Sequence, residues 1–358
     1  MEKILLSGVD VHDKTLVTKT ALSRGKPERE NYENTPADWA RLAADLRARS
    51  KREGGARIVV AYEASGQGFG LYDYLTGQGL ECHVLAPTRI PRSPQQRQRK
   101  NDDADAELIL DVLRGHYLAG HTLPAVRVPS RQLRDDREVT RATDDVKTKL
   151  TEVKVQIQCL LKRHQVRRPK ESGKGWTLAY RKWLAALSER DEPLPYGSRV
   201  ALGSLLRQLA WLDGEAEKLL REVGKLAEAP RHVRAVRALS KLAGVGVWTA
   251  LVFLLELGDP GRFRNRRQDG AHAGLVPSSH DSGETVGRYG HITRQGPARL
   301  RKALCQAVWA RIRGESGEKA AYERIVKRNP KHKKIAVVAC MRRLLVRMWH
   351  EAVRSEAA

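Results

Sequence analysis

Three carboxylates fall within four residues at Asp102-Asp103-Ala104-Asp105, directly after a strongly basic segment running from Arg89 to Lys100. If a helix opens at Asp102, Asp105 lies three residues on and shares its face, so both side chains can address one point. Acids in a first helical turn also complement the helix dipole, and an isolated Asp-x-x-Asp commonly does no more than that. Two further acids change the reading. Asp10 ends the largely apolar run Ile4 to Val9, and Glu63 ends Ile58-Val59-Val60-Ala61-Tyr62. An ionised carboxylate at the end of a buried strand is costly unless it is paired or bound to metal. Taken singly, Asp10 reads as a turn cap and Glu63 as the partner of an arginine. Together with Asp102 and Asp105 they form a set carried by two strands and a helix. Clustered carboxylates repel one another, and a divalent cation relieves the repulsion. Oxygen-only donors favour Mg²⁺ or Mn²⁺ over zinc. Two such ions about 3.5–4 Å apart suit phosphodiester chemistry.

The elements that must position these acids follow from the pattern. Ile4 to Val11 and the β-branched Thr15 to Leu22 read as strands around the turn His12-Asp13-Lys14. A polar stretch rich in Arg and Glu follows, and Trp39 to Arg47 has helical spacing. Arg57 to Glu63 reads as a buried strand, Leu71 to Leu75 as a helix, Leu80 to Leu85 as a short strand and 102–119 as the acidic helix. Hairpin, helix, strand, helix, strand and helix make a mixed α/β layer.

From Ser130 the pattern is helical. Leu133, Val139, Val146, Leu150, Val153, Ile157 and Leu160 trace a seam with polar residues between them. Such a seam pairs protomers in a coiled coil or packs within its own domain, with equal claim. Arg167-Arg168-Pro169 to Gly175 breaks this helix as a basic loop or nucleic-acid contact, and Trp176 to Leu187 and Gly197 to Leu226 resume helical spacing. Leu239 to Ala250 reads as helix, Gly244-Val245-Gly246 and helix, a helix-hairpin-helix-like element whose glycines let a backbone approach a phosphate. A Gly/Ser-rich loop over 273–296 then carries Arg288, His291 and Arg294, and the amphipathic helix from Ala298 to Arg313 adds Arg299 and Arg301. A basic amphipathic helix runs from Lys334 to Val353.

Bulk properties narrow the partners. The 358 residues exceed one comfortable core, so two or three domains are expected. With Lys+Arg 66 against Asp+Glu 42, the net charge of +24 draws polyanions, and phosphate backbones are the commonest inside cells. No apolar run is long enough to span a bilayer, and Met1 to Ser7 lacks a signal-peptide pattern. Cys82, Cys159, Cys305 and Cys340 are scattered without Cys-x-x-Cys pairing, which disfavours a zinc site or disulfide framework and suits a reducing cytoplasm.

Jointly these motifs resemble the transposases of the bacterial insertion-sequence family one-ten, also described as bridge-RNA-guided recombinases. The pieces that carry the resemblance are Gly8-Val9-Asp10-Val11, Tyr62-Glu63-Ala64-Ser65-Gly66, Lys100 to Ala106, Gly244-Val245-Gly246, Gly274-Leu275-Val276-Pro277, Ser282-Gly283 and Gly290 to Gly296. They fall in the family's order over nearly the whole chain. The resemblance implies an RNase H-like (RuvC-like) domain over 1–125 whose acid set is Asp10, Glu63, Asp102 and Asp105. It implies a helical, coiled-coil oligomerisation region over 126–230, and a mostly helical transposase domain over 231–358 with Ser282 as nucleophile. It further implies DNA partners (the element's ends and its target), a structured guide RNA, and a dimer or tetramer. Arg288 and Arg294 would offset charge on the scissile phosphate. Asp281-Ser282-Gly283 departs from the family's frequent Ser-Ser-Gly, Asn101 replaces a frequent Thr, and Asp103 adds an acid beside Asp102. The competing enzyme reading is a RuvC-type nuclease that hydrolyses branched DNA with metal-activated water. A non-catalytic nucleic-acid binder is the third reading, weakened by the complete acid set.

Overall fold

The structure is a computed structural model that describes residues 3–91, 102–279, 289–314, 317–328 and 330–357. The chain forms two compact units, Met1–Val128 and Pro129–Ala358.

The first unit is built on a six-stranded sheet of order β3-β2-β1-β4-β5-β6. Its elements are β1 (Ile4–Val11), β2 (Thr15–Leu22), β3 (Glu28–Glu33), α1 (Pro36–Arg52), β4 (Arg57–Glu63), α2 (Gly70–Gly77), β5 (Glu81–Leu85), α3 (Asp102–Ala119) and β6 (Ala125–Val126). β1, β2 and β3 form an antiparallel meander, while β4 and β5 run parallel to β1. This order and these directions match the RNase H-like fold that the family resemblance implies. Alternation along β1 and β4 splits the core in two. Leu5, Val9, Val60 and Tyr62 face α1 and α2, whereas Ile4, Leu6, Val59 and Ala61 face Ile109, Leu110 and Leu113 of α3. Thr35 caps α1 by accepting the Asp38 N–H, with Pro36 at the first helical position. The polar stretch after β2 is the strand β3, which the sequence pattern hides because only Tyr32 of its six residues is buried.

The second unit is helical. Its helices are α4 (Arg131–Arg163), α5 (Leu178–Glu189), α6 (Tyr196–Glu228), α7 (Val233–Ser240), α8 (Val247–Leu257), α9 (Arg266–His272), α10 (Ala298–Arg313), α11 (Gly317–Arg328) and α12 (Lys333–Ala357). A two-stranded antiparallel ribbon, β7 (Pro277–Ser279) and β8 (Tyr289–Ile292), stands where the sequence reads as loop. The α4 seam is absorbed within the chain. Leu150, Val153, Ile157 and Leu160 are buried with Leu184 of α5 and Leu202, Leu209 and Leu212 of α6, while Leu133 and Val139 join the core of the C-terminal helices with Val223 and Leu226. α4 and α6 therefore lie side by side in opposite directions and tie two cores together. α8 is apolar on nearly every side and forms the centre of the C-terminal core. Asp136, 3% exposed, pins α4 to the turn before α7 through Arg231 (2.7 and 2.8 Å) and His232 (2.8 Å). Among the described residues no helix is long and apolar enough to cross a membrane.

Candidate active site

β1 and β4 are in parallel register, with Leu6 opposite Val59 and Gly8 opposite Ala61. Asp10 and Glu63 are the next residues on the same face, so they end adjacent rows on the side of the sheet that α3 covers. Gly8 sets the distance of that helix. A Cβ at residue 8 would stand 2.5 Å from Leu110 N and closer still to the carbonyl oxygen of Ala106. With nothing but hydrogen on Gly8, the start of α3 settles against β1 and brings Asp105, the neighbour of Ala106, to the strand ends. Asp10, Glu63 and Asp105 consequently line one cleft of about 700 Å³, together with His12, Asp13, Ser65 and Gln67. All three acids are half-buried. The His12 imidazole Nε2 lies 3.0 Å from Asp10 Oδ2, and the Gln67 amide donates to Asp13 across the cleft mouth.

The other acids at this helix start divide. Asp103 turns away to β2 and β3, where Lys19 Nζ (2.9 Å) and Arg29 Nε (3.4 Å) meet its carboxylate. The backbone of Asp102 opens α3, but its side chain lies outside the described residues. The donors lining the cleft are carboxylate oxygens, which suit a hard divalent cation. In this conformation no three His, Cys, Asp or Glu side chains among the described residues are gathered closely enough to hold one. The donor chemistry fits a divalent ion, and binding would draw the acids together.

In the second unit, Ser282 and Arg288 lie outside the described residues, as does all of 280–288. What flanks them is tightly built. β7 and β8 pair on either side, Thr293 N–H donates to Val276 O (2.9 Å) and Arg294 N–H to Gly274 O (3.1 Å). Gly274 has φ +65° and would drive a Cβ to 2.5 Å from Gln295 O, while a Cβ on Gly296 (φ +128°) would strike His272 O. The motifs Gly274-Leu275-Val276-Pro277 and His291 to Gly296 are thus two halves of one clasp, and their glycines are the points of closest backbone approach.

The described basic residues singled out by sequence fall into two groups. Arg299 is engaged by Asp144 (3.6 Å) and Asp145 (2.8 Å), Arg301 donates to Ala273 O and Gly296 O, and Arg168 binds Ser172 while lying 3.9 Å from the Tyr180 ring centroid. Those three side chains brace the fold. His291, Arg294 and Arg167 are exposed. Gly244 (φ +74°) is hemmed in by Arg311 Cγ and Ala307 O at 2.7 and 2.9 Å from a hypothetical Cβ, so its close approach is to α10, whereas Gly246 at the start of α8 meets open space. His12, Asp13, Ser65 and Gln67 join the acids in lining the cleft, and in the sequence only the turn after β1 and the loop after β4 signal them.

A family model described as "Transposase" (DEDD_Tnp_IS110) matches residues 7–165, and one described as "Transposase IS116/IS110/IS902 family" matches residues 236–323. "Putative transposase y4qE" of Sinorhizobium fredii is 32% identical over 255 residues, which span 70% of this chain and 58% of that protein. The same organism's y4rJ, with the same printed designation, is 29% identical over 92% of this chain and 87% of its own length. The transposase for insertion sequence element IS1533 of Leptospira borgpetersenii is 24% identical over 75% of this chain and 73% of that protein. The Thermus thermophilus RuvC structure matches 34% of this chain and 100% of its own, at 15% identity and a TM-score of 0.25. With the DEDD family model and the C-terminal family model matching in chain order, the chain belongs to the IS110 family of transposases, enzymes that cut and rejoin DNA.

Proposed function

We propose that this transposase mobilises its insertion sequence through a covalent serine–DNA intermediate, with a divalent metal at the acid cleft and a structured RNA that pairs with donor and target DNA. The observation that carries the reading is the meeting of Asp10, Glu63 and Asp105 at the ends of β1 and β4. Mg²⁺ or Mn²⁺ held there, with Asp102 as the fourth ligand, would supply charge neutralisation at the scissile phosphate. Ser282 is the nucleophile in this reading. Its Oγ loses a proton and bonds to phosphorus while the bond from phosphorus to the leaving strand oxygen breaks, and that oxygen takes up a proton. Attack by a strand-end hydroxyl on the phosphoserine reverses the sequence, joins the new strands and returns the proton to Ser282, so no nucleotide hydrolysis is needed. Arg288 and Arg294 would stabilise the charge that builds on the phosphoryl oxygens. The helical region 126–230 would serve oligomerisation, and 231–358 would present the serine.

A water-attack nuclease of the RuvC type needs the acids but not Ser282. The deciding experiment is strand exchange by Ser282→Ala in the presence of Mg²⁺, the element's ends and the flanking non-coding RNA. The serine route predicts loss of exchange and of any denaturant-resistant protein–DNA adduct, with DNA binding retained. Exchange at the wild-type rate would remove Ser282 as nucleophile.

A further inference from the structure

α12 has two opposed faces. Val337, Cys340, Met341, Leu344, Leu345 and Met348 are buried in the C-terminal core. One turn around, Arg342, Arg343 and Arg347 follow the i, i+1, i+5 positions of an exposed stripe. α9 lies against this stripe and adds Arg266 and Arg267, and the five arginines line a concave pocket of about 550 Å³ floored by Gly270.

These arginines are not alike. Arg343 Nε and Arg347 Nη1 reach opposite oxygens of Glu318, at 3.1 and 3.6 Å, and Arg311 Nη2 meets the same carboxylate at 3.3 Å. Glu318 is fully buried, while the Arg343 and Arg347 side chains keep 42% and 48% of their surface. One end of each guanidinium is therefore fixed from behind, and its remaining N–H groups stay available at the pocket. Arg266, Arg267 and Arg342 form no ion pair among the described residues. A concave site with five guanidinium groups, the Glu318 carboxylate that it shares with Arg311 and the buried Asp269 carboxyl near Arg342 carries a net positive charge. Folding alone gains nothing from gathering like charges, because they repel.

We propose that this pocket between α9 and α12 is a second nucleic-acid contact, which seats successive phosphates of a strand independently of the acid cleft. Arg343 and Arg347 are its preorganised donors, and Arg266, Arg267 and Arg342 close on the backbone from its rim. Guanidinium groups match phosphate oxygens in pairs, and the open, shallow shape admits a continuous backbone. The contact is to phosphodiester, which both DNA and RNA present. It rests on the reading of the chain as a nucleic-acid enzyme, yet none of its lining residues is among those assigned to catalysis.

The test measures binding of the full chain to oligonucleotides of one sequence as single-stranded DNA, duplex DNA and single-stranded RNA, by fluorescence anisotropy over a salt series. The variants are Arg266→Ala/Arg267→Ala/Arg342→Ala, the corresponding triple Lys variant, and Asp105→Asn. The Ala triple is expected to bind at least tenfold more weakly, with the slope of log affinity against log salt shallower by about three, roughly one per lost contact. The Lys triple should recover most of the slope, and a thermal melt matching wild type should accompany both. A loss confined to the RNA probe or to the DNA probes supports the pocket and names the strand it seats. Affinity and slope within twofold of wild type on all three probes would overturn it. Asp105→Asn should bind as wild type and lose strand cleavage; if it cleaves normally, the catalytic reading fails while the pocket stands on its own binding data.

Discussion

Gly8 lies so close to Ala106 that a Cβ on it would run into the Ala106 carbonyl oxygen, so β1 and α3 approach backbone to backbone beside Asp10 and Asp105. This contact converts two acids distant in sequence into neighbours. A Cβ there meets backbone atoms of Ala106, Ile109 and Leu110 and not the yielding end of a side chain. Gly8→Ala must therefore push α3 off the sheet. The expected cost is about 2–3 kcal/mol of stability, since overpacking a close-packed contact costs this order. A 1 Å displacement of a catalytic group is enough to lower cleavage about a hundredfold. Chemical denaturation together with divalent-metal-dependent cleavage checks both halves; a stable and fully active Gly8→Ala would show that the contact does not position the acids.

Asp103 and Asp105 should separate cleanly by mutation. Asp105 lines the cleft, whereas Asp103 is held by Lys19 and Arg29 on the other side of the helix start. Asp103→Ala should lose about 0.5–1 kcal/mol, as expected of a partly exposed ion pair, and remain active. Asp105→Ala should fold normally and lose metal-dependent cleavage. The reverse pattern would exchange their roles.

Asp136 gives the second unit an acid-sensitive fastening. Burial alone would push its carboxyl up, but hydrogen bonds from Arg231, His232 and Gln132 outweigh burial and hold it down at about 2. A carboxyl lowered in the folded state contributes stability above its unfolded value near 4, and the contribution disappears as pH falls through about 2. The shift corresponds to about 2 kcal/mol at neutral pH. Asp136→Asn should therefore melt well below wild type at pH 7 and close to it at pH 2, as followed by the helical circular-dichroism signal. Equal gaps at both pH values would contradict the assignment.

Asp269 behaves in the opposite sense. It is fully buried on α9, and burial pushes its carboxyl up to about 6, partly countered by the Gly270 N–H, His350 and Arg342. The folded state then holds a proton that the unfolded chain releases near pH 4, so stability falls as pH rises from about 4 through about 6. Asp269→Asn removes that penalty and should raise the melting temperature at pH 8 relative to wild type, with little gain at pH 4. The same stabilisation at both values would show that the carboxyl is not titrating in this window.

How much of this the sequence discloses depends on how local each cause is. Asp10 and Glu63 stand out because each ends an apolar strand, and the spacing of Asp102 and Asp105 follows from helical geometry alone. β3 does not stand out, since five of its six side chains face solvent and leave no alternation to detect. The α4 seam reveals a buried face but not its partner, which proves to be two cores of the same chain. Gly244 invites a ligand reading because glycine spacing alone cannot distinguish approach by phosphate from approach by α10. The arginine pocket is hidden for the same reason: Arg266 and Arg342 become neighbours only when α9 lies on α12.

The two margins of the sheet have a consequence for how copies of the chain can associate. One margin is β3, whose Glu28-Arg29-Glu30 and Glu33 array charged side chains along the exposed strand. The other is β6, only two residues long. An extended segment from another chain would find either charge or almost no ladder to pair with. Strand addition at either margin of this sheet is thereby disfavoured as a route to aggregation.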